Sequence, residues 1–145
     1  MRYQALITDY DGTLTREEHV AEITLDALEN LKKTGRKVIL ATGRILEDVM
    51  LIFPEYRLFD LIVAENGALI YNPGSMEVQL IGEQPGSEFI NYLQDKAVPL
   101  SLGKVIVASW EPHQVTILEA IKRFGLEHQV VFNKGAVMIT SPRGK

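Results

Sequence analysis

Three short apolar runs, separated by segments of helical character, constrain the fold of this chain most strongly. The runs ALIT, KVILA and LIVA occupy residues 5–8, 37–41 and 61–64. Between them, residues 24–34 and 45–53 repeat apolar side chains at the spacing of an amphipathic helix, so the order β-α-β-α-β is predicted. Such units wind almost always right-handed into a parallel sheet, whose buried strands are typically apolar throughout. The predicted fold class is therefore α/β, with a partial Rossmann-like parallel sheet as its core.

The first predicted helix has its apolar residues on one side and signals at both ends. Leu25, Leu28 and Leu31 recur at helical spacing and are expected to face the sheet. Thr24 is a residue type that commonly caps a helix N-terminus, and Gly35 is typical of the position that follows a helix. We therefore expect a helix that starts after Thr24, ends before Gly35 and packs through its leucines.

The second half of the chain differs in pattern and predicts a smaller α+β unit. Residues 68–80 have the pattern of a hairpin, with the Asn-Pro-Gly sequence at 72–74 as its turn. We assign residues 1–70 to a core half and residues 71–145 to a cap-like segment. The further elements expected there are a helix over 87–95, strands over 104–109, 129–133 and 136–140, and a helix that begins at Pro112, carries Val115, Leu118, Ile121 and Phe124, and ends at Gly125.

Composition and charge exclude several classes of function. Of the 145 residues, 46% are apolar and 23% are charged, as in an ordinary globular protein. The net charge of -4 offers no basic footprint for nucleic acid, and no apolar run approaches the length of a membrane span. The absence of cysteine rules out disulfides and thiolate metal sites. Because the start of the sequence lacks the long apolar core of a signal peptide, a cytoplasmic location is expected.

Each predicted strand ends in a polar cluster that suits phosphate chemistry. Two carboxylates follow the first strand in DYDGT, a hydroxyl and an arginine follow the second in ATGR, and ENGA follows the third. Taken singly, Asp-Gly and Asn-Gly are turn dipeptides, and that interpretation stays open for each cluster. In a parallel α/β sheet, however, ligands bind beyond the carboxyl ends of the strands, where all three clusters fall. Helix N-termini and arginine side chains both bind phosphate. The candidate site residues are Asp9, Asp11, Thr42, Gly43, Arg44, Asn66 and Gly67.

The motifs DYDGTLT, ATGR and ENGA, in this order and at these intervals, resemble those of the haloacid dehalogenase superfamily. More narrowly, the chain resembles the type IIB phosphatases, which include sugar phosphatases with an α/β cap inserted after the third strand. The resemblance covers the whole chain, with core motifs in residues 1–70 and a cap-like segment after them. It implies a Mg²⁺-dependent hydrolase of small phosphorylated metabolites, such as sugar phosphates, that works through an aspartyl-phosphate intermediate.

The resemblance also implies a role for each motif residue. Asp9 matches the family's nucleophile and Mg²⁺ ligand, and Asp11 matches its general acid and base, whose backbone carbonyl also binds the metal. Thr42 matches the threonine that binds the transferring phosphoryl group. These residue types suit the roles, because one carboxylate attacks phosphorus while the other moves protons to and from oxygen. Phosphate or substrate binding is assigned further to Gly43, Arg44, Asn66 and Gly67.

Two later motifs of the family are not found in this sequence. Type IIB relatives carry, after the cap, a lysine beside the nucleophile and a GDxxND stretch whose aspartate completes the Mg²⁺ site, whereas no Gly-Asp dipeptide occurs here. Lys145 is a candidate substitute for that lysine. With Asp9 as the one side-chain ligand, Mg²⁺ binding is expected to be weak. The alternative to an active enzyme is a non-catalytic binding or regulatory module, or a fragment that keeps the phosphate cradle.

The first strand is affected by the same departure from the family pattern. In the family this strand lies in mid-sheet, beside the strand that carries the later acidic motif. Without that neighbour, residues 5–8 are expected to form an open edge with unpaired backbone groups and uncovered apolar side chains. A second copy of the chain or another partner is expected to cover such an edge, unless the strand order differs from that of the family.

Overall fold

The computed structural model describes residues 2–17 and 19–142, so that Lys145 lies outside the described residues. The chain divides into two compact units, Met1–Gln79 and Leu80–Lys145. In the described ranges no helix combines the length and the apolar character that crossing a membrane requires. The assignment of residues 1–70 to a core half and of 71–145 to a cap stays a prediction.

Strands and helices alternate in the first unit, as the sequence predicts. The larger sheet has five strands, of which the first three in space are mutually parallel and the fourth returns antiparallel. The α/β fold class is therefore confirmed. The elements that begin in this unit are β1 (Ala5–Asp9), β2 (Thr15–Arg16), β3 (His19–Val20), α1 (Glu22–Lys33), β4 (Lys37–Ala41), α2 (Leu46–Ile52), β5 (Leu61–Ala64), β6 (Leu69–Asn72) and β7 (Glu77–Leu80), and the sheet order is β1-β4-β5-β6-β7.

Helix α1 packs against the core of the first unit through the face that the sequence indicates. Leu28 is buried, and Leu25 and Leu31 pack partly buried against the same cluster. The predicted apolar face of this helix is therefore confirmed. Burial of such side chains contributes about 1.5–3 kcal/mol each where it is complete. The buried cluster also contains Val38, Leu40, Leu46, Val49, Phe53, Phe59, Ile62 and Leu69.

The two ends of α1 differ in how well the sequence predicts them. Thr24 does not cap the helix, which begins at Glu22, and Ala21 holds the cap position without a side-chain hydrogen bond. The carboxylate of Glu22 in the first turn favours this earlier start through the helix dipole. Gly35 follows the helix at φ 85° and its N–H donates to the Lys32 carbonyl over 2.9 Å, so the predicted stop is confirmed.

Strand β1 lies at one edge of the five-stranded sheet. Its Leu6 and Ile7 side chains, which point to opposite faces of the sheet, are both exposed. Among the described residues, β1 pairs with β4 on one side. The opposite edge is β7, whose residues are also exposed.

The second unit is an α+β arrangement with its own buried core. Its sheet has four strands, and each neighbouring pair is antiparallel. Phe89, Leu93, Ile117, Val137 and Ile139 are buried together in that core. The elements of this unit are α3 (Ser87–Asp95), β8 (Ser101–Leu102), β9 (Val107–Trp110), α4 (Gln114–Phe124), β10 (Gln129–Asn133) and β11 (Ala136–Thr140), with the sheet order β10-β11-β9-β8.

Helix α4 begins at Gln114, two residues after Pro112, and packs against the core of the second unit through one face. Val115 and Leu118 are exposed, whereas Ile117 and Ala120 are buried. Ile121 and Phe124 pack partly buried against the same core, so the helix is amphipathic. The strand predicted over 104–109 is also shorter than expected, since β9 begins at Val107.

Candidate active site

The ends of three neighbouring strands bring the predicted site residues to one edge of the sheet. Asp9, the last residue of β1, pairs in register with Ala41 of β4, which in turn pairs with Val63 of β5. The next residue, Thr42, donates its backbone N–H to the Val63 carbonyl over 2.8 Å. The first carboxylate and the ATGR loop therefore follow adjacent strands at the same carboxyl edge, where ligands bind in parallel α/β sheets.

A tight turn after β1 holds the two carboxylates. The Asp9 carboxylate accepts the backbone N–H of Tyr10 over 2.8 Å. Gly12 has φ 74°, a conformation that glycine adopts without strain. The buried Thr15 hydroxyl accepts the Gly12 N–H and donates to the Tyr10 carbonyl, both over 3.2 Å. The turn interpretation of Asp-Gly is thus correct as local structure, and the turn is what orients Asp11 away from the strand.

Asp11 and Arg44 form a bidentate ion pair that the sequence did not predict. The Arg44 Nε lies 2.8 Å from one carboxylate oxygen and a terminal guanidinium nitrogen lies 2.7 Å from the other. Both side chains are about half exposed. The hydrogen bond with Asp11 raises the pKa of Arg44, against the opposing effect of desolvation. With two parallel N–H···O hydrogen bonds of this kind, a guanidinium can bind either a carboxylate or a phosphate.

The Tyr10 side chain packs beneath this ion pair. Its side chain is buried, and its ring centroid lies 5.6 Å from that of Phe53. The Arg44 guanidinium carbon lies 6.0 Å from the centre of the Tyr10 ring, within range of a cation–π attraction. Burial raises the pKa of Tyr10, while the charge of Arg44 acts to lower it. Tyr10 therefore supports Arg44 as a neutral phenol.

Two hydrogen bonds hold the loop of Thr42, Gly43 and Arg44, one within the loop and one to the residue that follows β5. The buried Thr42 hydroxyl accepts the Arg44 backbone N–H over 3.1 Å. The Arg44 carbonyl accepts the N–H of Glu65 over 2.9 Å. Hydrogen bonds on both sides of Arg44 therefore fix the backbone of this loop, and α2 begins two residues later at Leu46.

The third polar cluster, residues 65–67, forms a strained turn. Its backbone is hydrogen-bonded to that of the second cluster, the ATGR loop. Glu65, Asn66 and Gly67 have φ values of 53°, 58° and 87°, all in the left-handed region. Glu65 is completely buried, although it is charged in solution. Left-handed non-glycine residues cost about 1–3 kcal/mol each and persist where the surroundings impose them. The sequence predicted the Asn-Gly turn and missed the buried Glu65, since neither its burial nor its φ is marked by residue type.

A cavity of about 400 Å³ opens beside the ion pair. It includes Asp11 and Arg44, but Asp9 and Thr42 do not belong to its lining. His19, on the small hairpin formed by β2 and β3, also borders it. Sequence reasoning assigned no role to the other lining residues, Tyr10, Thr15 and Ile52.

The oxygen donors at this edge of the sheet are of the chemical type that Mg²⁺ binds. The Asp9 carboxylate and the Asp11 backbone carbonyl are hard donors of the kind that Mg²⁺ takes, together with water and phosphate oxygens. In residues 2–17 and 19–142 there is no group of three or more His, Cys, Asp or Glu side chains that could hold a metal ion. The described residues therefore suit Mg²⁺ chemically and supply few of its ligands.

Comparisons with known proteins agree with the motifs and the fold. A model of haloacid dehalogenase-like hydrolases matches residues 6–114. Over 77 residues the chain is 38% identical to a phosphoglycolate phosphatase of Pyrobaculum islandicum, a match that covers 51% of this chain and 33% of the relative. The chain spans about a third of the length of the curated relatives it matches.

Solved structures show the same fold at low sequence identity. A haloacid dehalogenase-like hydrolase from Bacteroides thetaiotaomicron superposes with a TM-score of 0.80 at 16% identity, over 99% of this chain and 72% of that one. A subclass IIB sugar phosphatase superposes with a TM-score of 0.64 at 18% identity, over 95% of this chain and 70% of that one. With its family model matched over most of its length, the chain belongs to the haloacid dehalogenase-like hydrolases, and its fold resembles that of a subclass IIB member.

Proposed function

We propose that the chain is a phosphatase-type hydrolase of small phosphorylated metabolites, with Asp9 as its nucleophile. The observation that carries this proposal is the register of β1 and β4, which sets Asp9 beside Ala41 and hence beside the Thr42 loop. Membership of the family and matches to relatives named as phosphatases support it. Sugar phosphates are one candidate substrate class, since a structural neighbour is named a sugar phosphatase. A cytoplasmic setting is part of the proposal.

In the proposed reaction the two carboxylates act in turn. An Asp9 oxygen attacks phosphorus, a bond from that oxygen to phosphorus forms, and the bond from phosphorus to the alcohol oxygen breaks. Asp11 donates a proton to the departing oxygen. Water then attacks the aspartyl-phosphate, gives a proton to Asp11 and releases inorganic phosphate with Asp9 regenerated. The cycle consumes one water and leaves both side chains in their starting forms.

The loops at the strand ends bind the phosphate in this proposal. The Thr42 hydroxyl accepts one hydrogen bond within its loop, and a hydroxyl also has a proton to donate to a phosphate oxygen. Arg44 occupies both carboxylate oxygens of Asp11, so Asp11 moves a proton only when that pair opens. A phosphate offers Arg44 an equivalent partner. Gly43, Asn66 and Gly67 are the further substrate-binding residues of the proposal.

Mg²⁺ belongs to the proposal as a weakly bound ion. The Asp9 carboxylate and the Asp11 carbonyl oxygen would hold it. When bound, it would offset the negative charges of the nucleophile and the phosphate. The described chain contributes these ligands and holds the carboxylates in place through the Thr15 hydrogen bonds.

Replacement of the nucleophile tests the proposal directly. Hydrolysis of p-nitrophenyl phosphate is measured with MgCl₂ for the wild type, for Asp9→Asn and for Asp26→Asn. Asp26 is an exposed carboxylate on α1 and serves as the matched control. Loss of the nucleophile is expected to lower kcat by at least about 1000-fold, whereas the control keeps the wild-type rate. Equal rates for Asp9→Asn and the wild type, or an inactive wild type, would refute the enzymatic proposal.

The Arg44–Asp11 ion pair favours a second candidate, a binding or regulatory module that retains the phosphate cradle. A general acid whose two oxygens are both occupied is suited to orienting a phosphate-binding arginine rather than to turnover. Calorimetry with inorganic phosphate distinguishes this candidate. A module would bind phosphate without hydrolysing esters, and Thr42→Val would weaken that binding while Asp9→Asn would leave it intact.

A further inference from the structure

The cavity of about 400 Å³ beside the Asp11–Arg44 ion pair lies next to one proposed catalytic carboxylate and not the other. In phosphoryl transfer the attacking and departing oxygens lie roughly in line, on opposite sides of phosphorus. Asp9, the nucleophile of the proposed function, does not line the cavity, whereas Asp11, which protonates the departing oxygen, does. In that reaction the group attached to the departing oxygen therefore extends into this cavity.

Arg44 has hydrogen-bond donors for a ligand in this cavity even while its pair with Asp11 is closed. A guanidinium has five N–H donors, and the bonds to Asp11 use one on Nε and one on a terminal nitrogen. Three N–H groups are left for other partners. Because the Asp11 charge is balanced within the pair, these donors favour an anion.

The hairpin of β2 and β3 places His19 at the same cavity. Thr15 pairs in register with Val20, which packs partly buried against the core of the first unit. The Thr15 hydroxyl is also hydrogen-bonded to the turn that carries Asp11. These contacts tie the hairpin to that turn, so that the exposed His19 is held at the cavity and can offer a ring nitrogen to a ligand.

The other groups around the cavity leave this donor character unchanged. The Thr15 hydroxyl already donates its proton to the Tyr10 carbonyl. Ile52 is an apolar wall against which carbon atoms can pack. Arg16 lies directly opposite His19 in the hairpin, so its cationic side chain shares a face with the imidazole.

Two acidic side chains lie close to the cavity without lining it. Asp48 acts to raise the pKa of Arg44, and Glu55 acts to raise that of Tyr10. Neither Asp48 nor Glu55 is among the residues of the cavity wall. The donors that a ligand meets directly are therefore those of Arg44 and His19.

We propose that Arg44 and His19 bind a carboxylate on the departing group, so that the substrates are phosphate esters of small hydroxy acids. This inference rests on the proposed function, which supplies the position of the departing group. A carboxylate matches the planar guanidinium and is a further partner for Arg44 when its pair with Asp11 opens. Ligand cavities span about 300–1,000 Å³, so a departing group of a few carbon atoms suits this one. His19 is then a specificity-determining residue.

Two esters with the same carbon skeleton test this specificity. 3-Phosphoglycerate and glycerol 3-phosphate differ in that one has a carboxylate where the other has a hydroxymethyl group. With MgCl₂, kcat/KM of the wild type is expected to be at least about 10-fold higher for 3-phosphoglycerate, the discrimination of one charge-assisted hydrogen bond. His19→Leu is expected to lower kcat/KM for 3-phosphoglycerate by about 10-fold and to leave glycerol 3-phosphate unchanged. His19→Lys restores a cationic donor and is expected to recover most of the preference, while His113→Gln, in the second unit, behaves as the wild type.

Calorimetry separates this inference from the proposed function. Asp9→Asn lacks the nucleophile and is titrated with each ester, and it is expected to bind 3-phosphoglycerate about 10-fold more tightly than glycerol 3-phosphate. Such selective binding beside a wild type that hydrolyses neither ester would contradict the hydrolase and support the carboxylate site. Circular dichroism verifies that the variants are folded.

Four results would overturn the inference. They are no detectable binding of 3-phosphoglycerate to Asp9→Asn, equal binding of the two esters, an unchanged preference in His19→Leu, and equal losses on both esters in His19→Leu. The last result would show that His19 supports the fold of the hairpin and not the recognition of a carboxylate.

Discussion

Removal of a single hydroxyl at Thr15 is predicted to destabilise the turn that holds both carboxylates. Thr15→Val keeps the shape and the β-branch of the side chain and deletes its hydrogen bonds to the Gly12 N–H and the Tyr10 carbonyl. Each such bond contributes about 0.5–1.5 kcal/mol. The Tyr10 carbonyl keeps the backbone N–H of Thr15 as a donor, and the exposed Gly12 can reach water. The expected loss is therefore about 1–2 kcal/mol, below the sum of two fully buried bonds.

Urea unfolding followed by circular dichroism measures this loss. With an m-value of about 2 kcal/mol/M, the midpoint is expected to fall by about 0.5–1 M. Thr13→Val is the matched control, since Thr13 is an exposed residue of the same turn. Thr15→Ser keeps the hydroxyl and is expected to recover most of the stability. Equal midpoints for Thr15→Val and Thr13→Val would refute the assignment of the turn's stability to this hydroxyl.

Three further predictions concern the residues around this turn. Arg44→Gln is expected to change the free energy of unfolding by no more than about 1 kcal/mol, because the ion pair is half exposed, but to weaken binding of inorganic phosphate in calorimetry. Gly12→Ala is expected to lower stability in urea by about 1 kcal/mol and Gly12→Asn by less, since φ is 74° and asparagine tolerates this region; equal losses would contradict a backbone origin. Burial raises the pKa of Tyr10 above 10.0, so its contribution to stability is present below that pH and is lost as the pH rises beyond it. Tyr10→Phe is therefore expected to lose less stability than the wild type between about pH 9 and 11, and parallel losses would contradict this assignment.

The elements that the sequence predicted well are those encoded by short-range patterns. β4 and β5 have the predicted bounds, because continuous apolar runs between turn residues mark buried strands. The hairpin of β6 and β7 follows from its Asn-Pro-Gly turn. An error occurred where two local solutions were nearly equivalent, at the start of α1, which begins at Glu22, two positions before the predicted cap Thr24.

The strand ends that carry the candidate residues were predictable from the sequence, and the contacts among those residues were not. The rule that ligands bind at the carboxyl ends of parallel strands led to Asp9 and Thr42, and the register of β1 with β4 places Asp9 opposite Ala41, the residue before Thr42. The pairing of Asp11 with Arg44 joins residues 33 positions apart and depends on side-chain conformation, for which a sequence carries no signal. The burial of Glu65 is likewise a result of tertiary packing.

The backbone hydrogen bonds of Arg44 bear on how quickly its side chain can exchange one bound anion for another. Its N–H is held by Thr42 and its carbonyl by Glu65, while its guanidinium is half in solvent. The backbone of Arg44 is thus fixed, while its side chain, which is paired with Asp11, can swing to another anion without displacing the main chain. Such a swing is a rotamer change, which proteins complete in nanoseconds or less at exposed positions. Exchange of anions at Arg44 would therefore be fast compared with any bond-making step.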